Sequence, residues 1–235
     1  MTHTITAAAP ARGRRHGRLL GALEAQRAFY VDYEGSKGRA PTLLGYLVGD
    51  ELSAGIVEPL FAPCHAHYRA AHAERADHVS LLAALIDRAE REDRLIVSWS
   101  EHDLRVMREA LAGDTELEAV LTRRHRDGRL TARRWRSITH AGVEGPNSLD
   151  LYRALLKLKL PERFGHGVVG RALGTLRAQL AGGRGYDTLS DGAREGWRVV
   201  VAHNKYDLLH TRQVCMVTAE ALALRARDRQ VVSTG

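Results

Sequence analysis

Cysteine is scarce in this 235-residue chain. The two present, Cys64 and Cys215, stand far apart, which excludes a disulfide framework and points to reduced thiols. Long apolar runs are missing as well: no stretch approaches the roughly 20 residues of a membrane span. The Ala-, Gly- and Arg-rich start, Thr2 to Arg18, holds no apolar block long enough for a signal peptide. These absences predict a cytoplasmic protein with no membrane contact, built as a flexible basic arm over 1–24, one domain over 25–226 and a tail over 227–235. No Ser or Cys sits in a Gly-flanked elbow, which disfavours nucleophilic catalysis. Gly182, Gly183 and Gly185 lack a following Lys-Ser/Thr, which removes a P-loop.

What is present is positive charge and a few well-placed acids. Net charge is +7, and 31 of the 35 basic residues are Arg, so an anionic partner is expected. The Arg is concentrated between 123 and 136, in RRHRDGRLTARRWR. There Arg123, Arg124, Arg126, Arg129, Arg133, Arg134 and Arg136 face one Asp. Guanidinium groups bind phosphate bidentately and the Trp135 indole can stack on a base or anchor a core, so this run is the candidate nucleic-acid surface.

The acids divide by context. In FYVDYEG the aromatic and β-branched residues predict a strand, and its period of two puts Asp32 and Glu34 on one face. Two anions side by side call for a cation, and hard oxygen ligands suit magnesium or manganese. Asp114 and Glu116 repeat the spacing in a polar stretch that opens a helix, where acids answer the helix dipole. A second strand, around Leu95 to Trp99, leads into a helix carrying Asp103 in its first turn. Ser100 and Asp103 there also match a capping box. A third segment, from Glu195 to Leu224, has the spacing of a long helix, with Val200, Leu208, Val214, Val217 and Leu224 available for packing. His203 and Asp207 lie four apart on one of its faces. Carboxylates converging from distant segments are what a pair of divalent ions needs for phosphodiester cleavage.

Between these motifs, TLLGYLVGDELSAGIVEPLF predicts two strands about a Gly-Asp turn, and Glu74 to Arg91 predicts an amphipathic helix. The cluster Cys64, His65, His67, His72, Asp77 and His78 offers a competing zinc site, although no strict zinc spacing appears.

The order of D-x-E on a first strand, an Asp after a later strand, and a closing His-x-x-x-Asp helix resembles the DEDD exonucleases of the ribonuclease H-like superfamily. The likeness is closest to the YprB-type ribonuclease H-like nucleases. In their linker, Asp150 stands at the position of an Asp, and Arg171, Leu173, Gly174 and Arg177 stand near an E-x-x-L-G-x-x-R-like stretch. The resemblance runs from about Arg27 to about Leu224. It implies an α/β fold, a mixed sheet with an antiparallel three-strand start and then parallel strands, flanked by helices. It implies two Mg2+ or Mn2+ ions held by Asp32, Glu34, Asp103 and Asp207, with His203 as general base. The implied substrate is DNA or RNA, single-stranded or with a free 3′ end. The His203–Asp207 spacing is that of the family's tyrosine subclass, and a noncatalytic nucleic-acid-binding module with the same fold is the alternative.

Overall fold

The computed structural model describes residues 17–36, 38–67, 72–74, 77–161, 164 and 167–233. At its centre lies β1 (Phe29–Gly35), whose alternation of large apolar and polar side chains gives it two different faces. β2 (Pro41–Val48) and β3 (Glu51–Ile56) add to one side of it as an antiparallel meander. The turn between them is Gly49-Asp50. Gly49 has a φ of +54°, as the first residue of a tight type II′ hairpin turn requires. β4 (His72–Glu74) pairs parallel to β3 at that edge. On the other side, β5 (Ile96–Ser98) runs parallel to β1, and β6 (His125–Asp127) runs parallel to β5. The sheet order is β4-β3-β2-β1-β5-β6. The chain is therefore an α/β protein with a mixed sheet.

One face of the sheet is covered by α2 (His78–Arg91), α3 (Glu101–Ala110) and α4 (Thr115–Arg124), which bury Leu82, Ile86, Met107 and Leu121 against Phe29, Val31 and Leu44. The opposite face meets α8 (Asp191–Ser233), with α1 (Ala22–Arg27), α5 (Gly128–Thr139), α6 (Leu149–Leu155) and α7 (Val168–Ala181) around it. α8 has 43 residues, or about 65 Å of helix. Its buried stripe runs Trp197, Val200, Asn204, Leu208, Thr211, Cys215 and Ala219, the three-and-four spacing of a helix packed along one side.

Several boundaries differ from the sequence reading. α2 starts at His78, because the Asp77 carboxylate accepts from the Ser80 N–H at 3.0 Å and caps it there, while Glu74 belongs to β4. Packing begins before residue 25: Leu20 is buried beside Ala25 and Tyr30, and its N–H donates to Thr131 Oγ1 at 2.9 Å. Residues 1–16 of the expected arm lie outside the described residues. No break separates a tail at 227, since α8 continues through Ser233. Val217 and Leu224 are exposed rather than packed: Val217 lies off the buried stripe, and Leu224 follows Ala219, where that stripe ends. Among the described residues no helix is long and apolar enough to cross a membrane.

Candidate functional site

An amide interrupts the buried stripe of α8. Asn204 is fully buried between Val200 and Leu208, over the β1–β2 pair. It fits because its neighbour in the sheet is Gly45, directly opposite Asp32 in the β1–β2 register. A Cβ at Gly45 would come within 1.8 Å of Asn204 Oδ1. With that space open, Asn204 Nδ2 donates to Asp32 Oδ2 at 2.9 Å and to the Asp32 carbonyl at 3.2 Å. A Gly45→Ala substitution should therefore displace Asn204 and cost about 1–3 kcal/mol, as overpacking does. A urea unfolding midpoint would read it.

Two residues further along the strand, the alternation of β1 brings Glu34 to the same face as Asp32. His203 Nδ1 lies 2.9 Å from Glu34 Oε1 and 3.7 Å from Asp207 Oδ2. Asp207 in turn accepts from a guanidinium nitrogen of Arg153 in α6. That arginine is buried, with Nε donating to His210 Nδ1 at 2.9 Å and its other terminal nitrogen donating to Asp150 Oδ1 at 2.7 Å.

The fourth acid arrives by another route. β5 and β1 run parallel, so the segment after β5 emerges beside the end of β1 that carries Asp32 and Glu34. Asp103 caps α3 there: its Oδ2 accepts from Ser100 Oγ at 2.9 Å and from the Ser100 N–H at 3.3 Å. The capping box is real, and the same carboxylate is only 5% exposed and adds its charge to the field on Asp32 and Glu34. Capping and site membership coexist because only one oxygen is spent on the cap.

Electrostatically these acids are costly neighbours. Lost hydration, followed by the charges of Glu34, Asp207 and Asp103, holds Asp32 well above the ordinary carboxylate range, with the Asn204 hydrogen bond opposing. Burial pushes Glu34 up to about 7 against the pull of His203. Asp103 is raised by burial, with the Ser100 hydrogen bond opposing. Burial acts to lower His203, but its hydrogen bond to Glu34 and the charges of Asp207 and Glu34 outweigh it, so the imidazole is raised. A cavity that concentrates negative charge away from water suits a cation. Glu34, His203 and Asp207 form the single group of three His, Cys, Asp or Glu among the described residues whose ligand atoms all lie within 4.8 Å of one another. They could hold a metal ion.

A cleft of about 280 Å³ opens on this group, lined by Leu149, Arg153, Phe164, Val169, His203 and Asp207. A larger one, about 540 Å³, lies along α3 and β6 between Arg105, Arg108, His125 and Asp127. None of the four acids lines it, so the smaller cleft is the one joined to the chemistry. Comparison with family models, with curated proteins and with solved structures finds no match to this chain. Its function is thus read from the site.

Three further segments singled out in the sequence have definite surroundings in the structure. Arg123 through Arg136 do not form one free surface. Arg123 and Arg124 pair with Glu90, and Arg124 also with Asp93. Arg126 bonds the carbonyls of Arg123 and His125, Arg129 pairs with Asp127 and Glu101, and Arg136 bonds the Gly145 carbonyl. Arg133 and Arg134 are exposed and form no ion pair among the described residues. Trp135 is a core anchor, buried with Ala132, Tyr152 and Val214, and is not open to stack on a base. The residues of the competing zinc reading do not gather: Cys64 is buried in the α7–α8 core, His67 stacks on Tyr186, Asp77 caps α2, and His78 bonds the Tyr33 hydroxyl at 2.8 Å.

Asn204, Arg153 and His210 escaped the sequence reading. Asn204 had a signal, a lone amide in an apolar helical stripe. Arg153 had none, because Asp207 and His210, which tie it to the site, lie 54 and 57 residues away.

Proposed function

We propose that this protein is a divalent-metal-dependent phosphodiesterase, a nuclease that removes nucleotides from the 3′ end of single-stranded DNA or RNA. The observation that carries this reading is that Glu34 of β1 and His203 and Asp207 of α8 bring ligand atoms within 4.8 Å of one another, while Asp103 of α3 adds its charge to the field on Asp32 and Glu34. The sheet supports it: a three-strand antiparallel meander followed by strands parallel to β1 resembles the ribonuclease H-like arrangement, in which acids gather where the parallel strands end. The carboxylate oxygens are hard ligands, which suit Mg2+ or Mn2+.

When bound, the cation supplies Lewis acidity, polarising the phosphoryl group and easing the ionisation of water. The chain's own residues divide the remaining work. Glu34 orients His203 by accepting from Nδ1–H, which leaves Nε2 free to take the proton of the attacking water. Asp32, fixed by Asn204, and Asp207, fixed by Arg153, would help to hold the cation. The apolar wall of Leu149, Phe164 and Val169 gives a base somewhere to lie beside the reacting phosphate.

End-labelled single-stranded DNA and RNA incubated with Mn2+, Mg2+ or EDTA test the reading. Metal-dependent shortening from the 3′ end is expected, lost in EDTA. Binding without turnover in any metal would instead identify a noncatalytic nucleic-acid-binding module. His203→Gln should lower turnover by roughly 10²–10⁴-fold, the worth of a general base, while leaving Mn2+ affinity within about tenfold; a collapse of Mn2+ binding would make His203 a ligand. Arg133→Ala and Arg134→Ala should each weaken binding of a single strand uniformly across sequences and reduce the salt dependence by about one ionic contact.

A further inference from the structure

Each of the four carboxylates has one oxygen already spoken for. Asp32 Oδ2 takes the Asn204 amide, Glu34 Oε1 takes the His203 imidazole, Asp103 Oδ2 takes the Ser100 hydroxyl and N–H, and Asp207 Oδ1 takes Arg153. Among the described residues, only Glu34, His203 and Asp207 bring ligand atoms within 4.8 Å of one another, a single cluster with room for one small divalent ion.

Arg153 bears on the same count. Its guanidinium is always charged, is only 7% exposed, and is locked at all three nitrogens, to His210, Asp150 and Asp207. It is not a surface side chain that can swing away to admit an ion. His210 accepts through Nδ1, so the imidazole acts as a neutral prop for the guanidinium rather than as a competing cation.

We propose that Arg153 takes the place of a second metal ion, so that this site binds a single divalent cation with the guanidinium as its fixed positive neighbour. Arg153 is a positioning residue: it neutralises one oxygen of Asp207, aims the other at the cation, and repels a second ion. The single-cation site presupposes the metal-dependent reading above and replaces the two ions that the family resemblance implies.

Counting Mn2+ bound to the full-length chain, by electron paramagnetic resonance of the free aqueous ion during titration, tests it without any turnover assay. The wild type should bind one Mn2+ per chain. Arg153→Gln should admit a second Mn2+ or tighten the first at least tenfold, and Arg153→Lys, which keeps the charge, should bind one as the wild type does. Two ions in the wild type would overturn the proposal and leave the metal-dependent reading standing. No bound ion would overturn both. One ion at unchanged affinity in a folded Arg153→Gln protein, with folding checked by circular dichroism, would also overturn it. If that variant fails to fold, the wild-type and Arg153→Lys counts decide: one ion in each supports the proposal and two in the wild type overturns it.

Discussion

Asp32→Asn will abolish metal-dependent strand shortening and, in the same preparation, raise the unfolding temperature of the metal-free protein. The two effects share a cause. Asp32 sits among Glu34, Asp207 and Asp103, and its ionisation is opposed by lost hydration and by those charges. Removing one negative charge relieves the repulsion, on a scale of about 1–2 kcal/mol, or a few degrees for a domain of this size. The Asn204 amide keeps an oxygen to donate to, so little is lost in exchange. Turnover should fall by about 10²-fold or more, the usual cost of deleting a preorganised electrostatic group. Differential scanning calorimetry in EDTA beside the strand-shortening assay reads both. A variant that is less stable than the wild type, or one that still cuts, would show that Asp32 is an ordinary buried acid.

The second large effect is a stability that depends oppositely on pH with and without metal. Glu34 titrates near 7 in the folded chain against an ordinary value of 4.5. Between those values the folded state holds more protons than the unfolded one, so stability falls as pH rises through that window. Asp32 and Asp103 are raised too and act in the same direction. His203 also has a raised folded value, so its contribution is complete below 6.5 and is lost as pH rises through the folded value. All four groups thus weaken the metal-free protein as the solution turns alkaline, by something on the order of 2–3 kcal/mol from Glu34 alone. A divalent cation binds the deprotonated form, so its stabilisation grows with pH. Melting temperatures in EDTA should decline from pH 5 to pH 8, and the increment from millimolar Mn2+ should be larger at pH 8 than at pH 6. A metal increment that is flat with pH would exclude the four acids as the binding group.

These two expectations rest on residues of unequal legibility. Asp32 and Glu34 could be read from their strand because period-two alternation is a local property, and their shared face follows from backbone geometry alone. The hairpin turned by Gly49-Asp50 and the long α8 were legible for the same reason, each carrying its signal within a few residues. Asp103 was read both as a cap and as a site member, and its two oxygens let it be both. The Arg123–Arg136 run was legible only in part, because a charge run says nothing about where its counter-charges lie. Glu90 and Asp93, a helix away in sequence, neutralise its first part, and Trp135 turns inward to the core.

The sequence by itself determined the strand that carries Asp32 and Glu34, the helix that carries His203 and Asp207, and the requirement that two adjacent buried anions meet a positive charge. Only the tertiary structure decided what that charge is near and how the acids are held. Gly45 makes room for Asn204, the parallel pairing of β1 and β5 delivers Asp103, and α6 brings in Arg153. Each of these is a contact between segments tens of residues apart or more, set by how helices seat on a twisted sheet. Local periodicity specifies which face a side chain takes, whereas the packing of distant elements specifies what that face meets.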